Sequence, residues 1–370
     1  MKFCFFGNIS GALKGKTLGG AELQIALLAK ALACKGHEVV IIDPSSSESF
    51  TTEEGIKLIN IPGWNKGRKG LRLFLNRIPA LRKALTDQKA DYYYVRMRTY
   101  FHLLTYNVAR KLGSKFIVGL AHDIDVLSIR KKIKYKYSHN FNLFSFFTLQ
   151  LPNDLVFHYL LKRADYITIQ HTGQKVNQGA IKGKVVLFPN IIDISNFPHI
   201  ENPSRDYFIH VGTLTMIKGV QNLFQLVNKL DKSNTIVIVG EAGDEKSSQI
   251  LKEIIKNKNI VFRGGLSHKE TIEMIANSKA LINTSNYEGF PNIFLEAWAT
   301  CVPVISLKVN PGNVFNKYDL GVCCEGDLGG MKKCMESGAM DSIDKGKLSK
   351  YVTDFHSYAT AADRFLSLIH

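Results

Sequence analysis

The feature that most constrains this chain is an end-to-end alternation between short β-rich runs and helical stretches. Most of the β-rich runs are almost continuously apolar, which is typical of parallel strands covered on both faces. Strands that alternate with helices indicate parallel α/β sheets joined by right-handed crossovers. The predicted strands are residues 2–8, 37–43, 56–62, 91–96, 115–122, 165–170, 184–190, 207–212, 235–240, 259–264, 279–285, 301–307 and 320–325.

The same scheme occurs twice, so the sequence predicts two domains. A length of 370 residues suits two domains of roughly 100–200 residues each. We expect an N-terminal domain over 1–195, a C-terminal domain over 196–351, and a final helix over about 352–370 that rejoins the first domain. Open α/β sheets bind ligands beyond the carboxyl ends of their strands. Two Rossmann-like α/β/α domains facing across a cleft would therefore suit an enzyme with two substrates.

The positive charge is concentrated in the first half of the chain. The formal net charge is +16, and residues 66–163 contain 20 lysines and arginines against 5 acidic residues. Such asymmetry predicts an anionic partner, which is nucleic acid, a membrane surface or a phosphorylated substrate. The alternative is a solvated basic face that keeps the protein soluble.

Cysteine usage and hydropathy predict a cytoplasmic protein. The six cysteines form no C-x-x-C pair, so we expect neither a disulfide framework nor a metal knot. The apolar run after Lys2 is too short for a signal peptide. No apolar run reaches the roughly 18 residues that a membrane span requires.

A loop follows the first predicted strand of each half. In the first half, Gly19 and Gly20 open the helix predicted over 21–36, where a glycine backbone can approach a phosphate closely. In the second half, Lys218 stands just before Gly219 and can reach a diphosphate as a point charge. Each pattern alone is also typical of an ordinary solvent-exposed loop.

The segment 288–304, EGFPNIFLEAWATCVPV, carries the strongest signal. A tight turn follows the strand predicted over 279–285, and a helix begins at about Pro291 or Asn292. The helix N-terminus and its dipole create an anion site. Glu296 lies about one turn into this helix, where its carboxylate can accept hydrogen bonds from a ribose diol. A Glu early in a helix is also common for dipole reasons, but that does not explain Glu288, Gly289 and Pro291 arriving with it.

These segments together resemble one known family. E-G-F-P-N-I-F-L-E-A is similar to the E-x7-E motif of the "group 1" family of retaining glycosyltransferases with the GT-B fold. Four further segments resemble the family's motifs, in the same order along the chain. They are Gly19-Gly20-Ala21-Glu22 for G-G-x-E, His122-Asp123 for H-D, 185–193 for V-I-P-N-G-V-D, and 211–219 for V-G-R-L-x-x-x-K-G.

The resemblance implies a role for each matching residue. Glu288 would contact hydroxyls of the donor sugar, Glu296 the ribose, and Lys218 the diphosphate. His122 would lie near the transferred sugar and orient it. The remaining donor-binding residues would be Gly19, Gly20, Gly289, Phe290, Pro291 and Asn292. Asp123, Arg96 and Arg98 are candidate contacts for the acceptor or a phosphate.

The resemblance also implies the chemistry. A sugar would move from a nucleotide-diphosphate sugar to a hydroxyl of a glycan or lipid-linked acceptor, with retention of configuration, in the synthesis of a surface polysaccharide such as lipopolysaccharide or capsule. No cofactor and no metal are implied, because lysine and helix dipoles stabilise the leaving diphosphate. We favour UDP over GDP as the nucleotide. Thr213 stands where the family has an arginine, so one cation of the usual diphosphate site is missing.

A basic and aromatic segment lies between His122 and Asp165. Cations interleaved with aromatic rings suit a membrane interface, where lipid phosphates and headgroups meet them. Core packing of the aromatic residues and RNA binding are the alternatives. We favour peripheral contact with the anionic inner face of the membrane, and no nucleic acid. The segment's main members are Arg130, Lys131, Lys132, Lys134, Lys136, Tyr135, Tyr137, Phe141, Phe144, Phe146, Phe147, Phe157 and Tyr159.

Two other functions are compatible with the sequence. A sugar-nucleotide epimerase can share the two-lobed fold and needs no acceptor. A non-catalytic basic α/β protein that binds lipid or nucleic acid is the other, although the paired Glu288 and Glu296 would repel a phosphate unless a ribose and a sugar lay between them.

Overall fold

The computed structural model of the chain describes residues 1–15, 19–68, 71–128, 131–132, 143–176, 179, 181–195, 197–198, 200 and 203–370. Within these residues the chain divides into two compact units. The first unit combines Met1–Ile191 with Tyr358–His370, and the second is Ile192–Ser357. The central part of the basic and aromatic segment, with Arg130, Lys134, Tyr135, Lys136, Tyr137 and Phe141, lies outside the described residues.

The first unit is built on an eight-stranded sheet in the order β3-β4-β2-β1-β5-β6-β7-β8. All neighbouring pairs are parallel except β3 with β4. The two-residue strand β3 was not predicted, because a strand this short carries no periodic signal. The strands are β1 (Lys2–Phe6), β2 (Glu38–Ile42), β3 (Phe50–Thr51), β4 (Lys57–Ile59), β5 (Tyr92–Arg96), β6 (Lys115–Gly119), β7 (Tyr166–Ile169) and β8 (Lys184–Leu187).

The second unit is built on a six-stranded parallel sheet in the order β11-β10-β9-β12-β13-β14. Its strands are almost entirely buried in the middle of the sheet, as their apolar runs predict. The strands are β9 (Tyr207–Val211), β10 (Ile236–Val239), β11 (Ile260–Gly264), β12 (Ser278–Asn283), β13 (Val304–Ser306) and β14 (Gly321–Cys323).

Helices connect most successive strands in both units, so the predicted α/β fold class is confirmed. The α-helices of the first unit are Ser10–Leu13, Gly20–Cys34, Ile78–Gln88, His102–Leu112, Leu143–Ser145, Leu151–Leu161 and Ala361–Ile369, with π-helical turns at Leu73–Arg77 and Phe146–Gln150 and 3₁₀ turns at Asp123–Val126 and Tyr358–Thr360. Those of the second unit are Val220–Lys229, Glu245–Ile254, His268–Ala276, Asn292–Ala299, Val314–Tyr318, Leu328–Glu336 and Lys345–His356, with 3₁₀ turns at Pro311–Asn313 and Ala339–Ser342. Among the described residues, no helix is long and apolar enough to cross a membrane.

Each sheet has one point where the strand order reverses direction. In the first unit, β2 lies on one side of β1 and β5 on the other. In the second unit, β10 lies on one side of β9 and β12 on the other. Loops that leave the carboxyl ends of such a strand pair diverge and open a crevice, which is the usual ligand site of open α/β sheets.

His102 is buried in the first unit without a hydrogen-bond partner for either ring nitrogen among the described residues. Its ring packs edge-on against Phe6, with 5.8 Å between the ring centroids. Burial lowers the pKa of His102 to about 3, because the imidazolium would lose its hydration without gaining a partner.

We therefore expect His102 to make the protein acid-sensitive. The unfolded chain takes up this proton below pH 6.5 and the folded chain does not, so folding stability falls as the pH drops from 6.5 toward 3. The cost reaches about 2 kcal/mol at pH 5. Chemical unfolding of the parent and of His102→Leu at pH 7.5 and pH 5 measures this effect. From pH 7.5 to pH 5, the free energy of unfolding of the variant should rise by about 2 kcal/mol relative to that of the parent. An equal pH dependence of parent and variant would contradict the assignment. Burial also lowers the pKa of His210 to about 4. Both proteins should therefore keep some loss of folding stability as the pH falls.

Candidate active site

Two loops meet at the reversal point of the second sheet. One follows β9 and carries Thr213 and Lys218, and the other follows β12 and carries Glu288. Because β9 and β12 are hydrogen-bonded neighbours and parallel, both loops leave the same edge of the sheet. The sheet topology thus brings together two residues that are 70 positions apart in sequence.

Lys218 and Glu288 form an ion pair at this edge. The Lys218 Nζ lies 2.5 Å from Glu288 Oε1, and the Ser285 hydroxyl donates to the same oxygen at 2.9 Å. The Glu288 side chain is only 9% exposed, whereas that of Lys218 is 42% exposed. Glu288 is therefore fixed in place, and the lysine presents its charge toward solvent.

Gly219 allows the two loops to pack closely. Its backbone lies in the left-handed region with φ of +74°, and a Cβ atom there would lie 1.8 Å from the Thr284 carbonyl oxygen. The Asn222 side-chain amide donates to that same carbonyl at 2.9 Å. Any side chain at position 219 would push the loop off β12, so the glycine fixes the position of the adjacent Lys218.

The helix Asn292–Ala299 begins directly after this site, with Pro291 at its N-cap. Its N-terminus carries the positive end of the helix dipole. The side chain of Phe290 is buried and packs against Trp298 and His356, with centroid distances of 6.2 and 4.9 Å. Phe290, like buried Gly289 and Pro291, can therefore serve a ligand through its backbone, while its ring anchors the turn to the core.

Glu296 lies in the first two turns of this helix and is paired with a histidine that the sequence interpretation missed. His268 Nε2 lies 3.2 Å from Glu296 Oε1. The Glu296 side chain is 12% exposed and that of His268 is 49% exposed. The hydrogen bond to Glu296 and the charge of its carboxylate raise the pKa of His268, against the opposing effect of burial. His268 thus holds one carboxylate oxygen of Glu296.

This pair gives a pH-dependent contribution to stability. The folded-state pKa of His268 lies above its unfolded value, so the contribution is fully present below pH 6.5 and is lost as the pH rises through the folded pKa. We expect His268→Gln to be less stable than the parent at pH 5.5, by under about 1 kcal/mol because the histidine is half exposed. The difference between the two proteins should disappear as the pH rises past the folded-state pKa of His268. Thermal unfolding across pH 5.5–8.5 tests this, and a constant difference would contradict it.

In the first unit, the predicted residues lie beyond the carboxyl ends of β1, β5 and β6. Gly19 is the N-cap of the helix Gly20–Cys34, and a Cβ atom there would lie 2.4 Å from a Glu22 carboxylate oxygen. His122 caps the 3₁₀ turn Asp123–Val126: its Nδ1 accepts the Ile124 backbone N–H at 3.3 Å. Asp125 completes the cap by accepting two backbone N–H groups at 2.9 Å.

Asp123 belongs to a polar network that the sequence interpretation did not anticipate. Its Oδ1 atom lies 2.9 Å from His171 Nε2 and 3.0 Å from the Gln174 amide nitrogen. The Gly173 backbone N–H donates to His171 Nδ1 at 3.1 Å, so the neutral imidazole carries its hydrogen on Nε2 and donates to Asp123. The Asp123 side chain is 41% exposed, and its Oδ2 has no hydrogen-bond partner among the described residues.

The network continues to Arg96 at the end of β5. Gln174 and Gln170 bond to each other, and the Asn190 side-chain oxygen accepts from both Gln170 and Arg96 at 2.9 Å. Arg96 itself is buried. The missed residues lie at or shortly after the carboxyl ends of β7 and β8, and this position is the signal that could have identified them.

Arg98 lies in an internal ion cluster. Its guanidinium contacts Asp125 at 3.2 Å and Asp154 at 2.8 Å, and both carboxylates are buried. Lys132, which is also buried, lies 3.6 Å from Asp154, and burial lowers its pKa to about 8. Arg98 therefore bridges two carboxylates of its own unit, and Lys132 packs inside rather than on a basic surface.

Two family models match the chain in succession. Glycosyltransferase Family 4 matches residues 18–196, and Glycosyl transferases group 1 matches residues 192–326. The chain is also similar to two curated proteins. It is 26% identical over 180 residues to an uncharacterized glycosyltransferase of Methanocaldococcus jannaschii, and this match spans 43% of each chain. It is 22% identical to a human phosphatidylinositol N-acetylglucosaminyltransferase chain, over 94% of this chain and 72% of the human protein.

Solved structures share the fold over essentially the whole chain. Sucrose-phosphate synthase from Thermosynechococcus elongatus matches with a TM-score of 0.75 at 15% identity, over 100% of this chain and 98% of that one. HepE of Anabaena, solved in complex with UDP and glucose, matches with a TM-score of 0.68 at 14% identity, over 99% of this chain and 98% of that one. WaaG, a glycosyltransferase involved in lipopolysaccharide biosynthesis, matches with a TM-score of 0.68 at 14% identity, over 100% of this chain and 99% of that one.

Two units, each built on a parallel α/β sheet, are the GT-B fold that these solved structures share. With both family models and this fold in agreement, the chain belongs to the group 1 glycosyltransferases. The family resemblance predicted from the sequence is thereby confirmed.

Proposed function

We propose that the protein is a retaining, metal-independent glycosyltransferase that uses a UDP-sugar and a glycan or lipid-linked acceptor in surface polysaccharide synthesis. The observation that carries this proposal is the ion pair of Lys218 with buried Glu288 at the reversal point of the second sheet. A fixed carboxylate suits sugar hydroxyls, and a solvent-facing ammonium next to it suits a diphosphate.

The second unit binds the donor in this proposal. Lys218 binds the diphosphate, and the N-terminus of the helix Asn292–Ala299 adds the favourable field of its dipole. Glu288 accepts hydrogen bonds from the sugar, and the free oxygen of Glu296 accepts from the ribose while His268 holds the other. Because a lysine and a helix dipole neutralise the leaving diphosphate, no metal is required.

The first unit binds the acceptor in this proposal. His171 and Gln174 both donate to Asp123 Oδ1, which orients the carboxylate and leaves Oδ2 for an acceptor hydroxyl. His122 is held by the capped turn and orients the transferred sugar. Retention follows if the acceptor attacks from the same face as the departing diphosphate, with the diphosphate oxygen taking the acceptor's proton.

Relatives support the choice of donor and acceptor. HepE was solved with UDP and glucose, which favours UDP. The human relative is named for transfer of N-acetylglucosamine to phosphatidylinositol, and WaaG acts in lipopolysaccharide synthesis. Both names favour a lipid-linked acceptor over a soluble one.

A lipid-linked acceptor requires access to the membrane, and the first unit has a suitable surface. Large apolar side chains are exposed on two segments, Leu71–Leu75 and Phe144–Leu149, with Leu75 70% and Phe144 80% exposed. Each segment precedes a helix that packs on the helix His102–Leu112, so both lie at the same edge of the unit. Exposed Lys66 and Arg68 adjoin the first segment and complement anionic headgroups. We propose that this surface docks on the cytoplasmic face of the membrane.

The docking surface is tested with vesicles. We expect Phe74→Ser/Leu75→Ser/Phe144→Ser to lower co-sedimentation with vesicles rich in phosphatidylglycerol by about tenfold or more, because each buried apolar side chain contributes roughly 1.5–3 kcal/mol. The matched control, Ile255→Ser/Phe262→Ser, removes exposed apolar side chains from the second unit and should bind as the parent does. Equal binding of all three proteins would overturn the proposed surface.

The function itself is tested by incubation with a panel of nucleotide sugars. The proposal predicts slow hydrolysis of one UDP-sugar without acceptor, and transfer when lipid-linked glycans are added. NMR of the donor alone identifies an epimerase, which would convert the sugar with no acceptor present. Failure of every nucleotide sugar to bind or react would overturn the proposal.

A further inference from the structure

A second charged site lies on the first unit, at the amino edge of its sheet. A shallow depression of about 560 Å³ is lined by residues at or just before the starts of β6, β7 and β8, and by Tyr106 and Arg110 of the helix His102–Leu112. Its five cationic residues are Arg110, Lys115, Arg163, Lys182 and Lys184, and Asp165 is the acidic residue among the described residues that line it.

Asp165 neutralises only part of this cluster, because it pairs with two of the five cations. Its Oδ2 accepts from the Phe116 backbone N–H and from Arg110, both at 2.7 Å. Its Oδ1 lies 4.0 Å from the Lys115 ammonium. The remaining cations, Arg163, Lys182 and Lys184, have no acidic partner within 4 Å in the part of the chain that the structure describes. Like charges so placed repel each other unless an anion joins them.

The depression is built rather than formed by mobile side chains alone. The guanidinium of Arg163 lies over the Tyr159 ring at 3.8 Å from its centroid, which restricts its orientation. Between the two lysines, a Cβ atom on Gly183 would lie 2.1 Å from the Ala164 carbonyl oxygen. Only glycine lets this backbone lie against the start of β7, and the close approach sets Lys182 and Lys184 on the rim near Arg163.

The site is separate from the acceptor residues and from the membrane surface. Asp123 and Arg96 lie at the carboxyl edge of the same sheet, and the strands between the edges have four or five residues. At about 3.3 Å per residue, the two edges are roughly 13–17 Å apart. The exposed apolar segments precede helices that start at the carboxyl edge, so a membrane docked there would not reach the depression.

The chemistry of the lining selects the class of ligand. Three to five cations over a few hundred Å³ suit adjacent phosphates better than one carboxylate. Nucleic acid is disfavoured, because Arg110 and Arg163 already lie over one face each of Tyr106 and Tyr159, and these faces are closed to stacking bases. We propose that this depression, here called the amino-edge site, binds a soluble ligand that carries two or more phosphate groups.

Titration calorimetry with inorganic pyrophosphate at low ionic strength tests the proposal on four full-length proteins. They are the parent, Lys182→Ala/Lys184→Ala, the matched control Lys229→Ala/Lys232→Ala, and the donor-site variant Lys218→Ala. Lys229 and Lys232 are exposed on the second unit, so the control removes the same charge elsewhere. Arg163 is kept because its packing on Tyr159 contributes to the fold.

We expect Lys182→Ala/Lys184→Ala to weaken one pyrophosphate-binding step by about tenfold, since each exposed contact is worth roughly two- to fivefold. That step should persist in the control and in Lys218→Ala, and should weaken with added salt. Loss of pyrophosphate binding in Lys218→Ala alone would show that only the donor site binds, and would overturn the proposal. The proposal would also be overturned if Lys182→Ala/Lys184→Ala bound pyrophosphate as the parent does. If that variant then lost the parent's binding to anionic vesicles, the cations would serve lipid headgroups instead. Neither result bears on the proposed glycosyltransferase function, which is tested separately with the panel of nucleotide sugars.

Discussion

Glu288→Gln should lower the rate of sugar transfer by a factor of about 10²–10³ while leaving the fold intact. The substitution keeps the shape of the side chain and an oxygen that can accept from the Ser285 hydroxyl. It removes the charge that holds Lys218 in place and that accepts strongly from sugar hydroxyls. Steady-state rates with the donor identified by the panel, together with the melting temperature, measure the effect.

Glu253→Gln is the matched control for this substitution. Glu253 is exposed near the end of the helix Glu245–Ile254 and pairs with Lys256 just beyond that helix, away from the loops that follow β9 and β12. It should retain the parent rate. If Glu288→Gln transfers sugar as fast as Glu253→Gln, Glu288 does not contact the donor and the proposed site is wrong.

Lys218→Met should cause a loss of similar size, about 10²–10³ in kcat/KM for the donor. The effect is expected to be large because Thr213 stands where the family resemblance predicts an arginine. The leaving diphosphate then depends on Lys218 and on the dipole of the helix Asn292–Ala299. Donor titration and initial rates separate a loss of binding from a loss of turnover.

The two residues should also act as a unit. Because Lys218 and Glu288 contact each other, the double substitution should cost little more than either single one. Lys256→Met, at the exposed ion pair with Glu253, controls for the loss of a lysine and should leave the rate unchanged. Fully additive losses would show that the ion pair is incidental to the reaction.

The sequence was sufficient for the fold class, and it singled out Lys218 and Glu288, whose proposed role in donor binding stays a prediction. Its apolar runs coincide with thirteen of the fourteen strands, because parallel strands buried on both faces leave a strong signal. Lys218 and Glu288 were singled out because each lies in a loop after such a strand, within a segment that resembles a family motif. Their pairing needed the strand order, since only the adjacency of β9 and β12 brings the two loops together.

Other contacts were beyond sequence reasoning because they depend on which strand ends become neighbours. His171 and Gln174 follow β7, and Asp123 follows β6, so their network exists only because these strands pair. His268 reaches Glu296 from the start of another helix. Neither pattern has a fixed spacing that a single sequence could reveal.

The count of basic and acidic residues was the least informative part of the sequence for locating a charged surface. Arg98 and Lys132 contribute to the basic excess of the first half, yet both lie within 4 Å of the buried Asp154 carboxylate. A cation that is paired with a buried carboxylate adds to the count of basic residues but adds little to the electrostatic potential at the surface. The aromatic residues divide in the same way, because Phe146 and Phe157 are buried whereas Phe144 and Phe147 are exposed.

The central claim is that the second unit binds a nucleotide-diphosphate sugar through Lys218 and Glu288. Calorimetric titration of the parent and of Glu288→Gln with UDP and with the matching UDP-sugar tests it most directly. We predict that the parent binds the UDP-sugar more tightly than UDP, and that Glu288→Gln loses this preference while still binding UDP. Equal binding of UDP and UDP-sugar by the parent, or an unchanged preference in Glu288→Gln, would contradict the account.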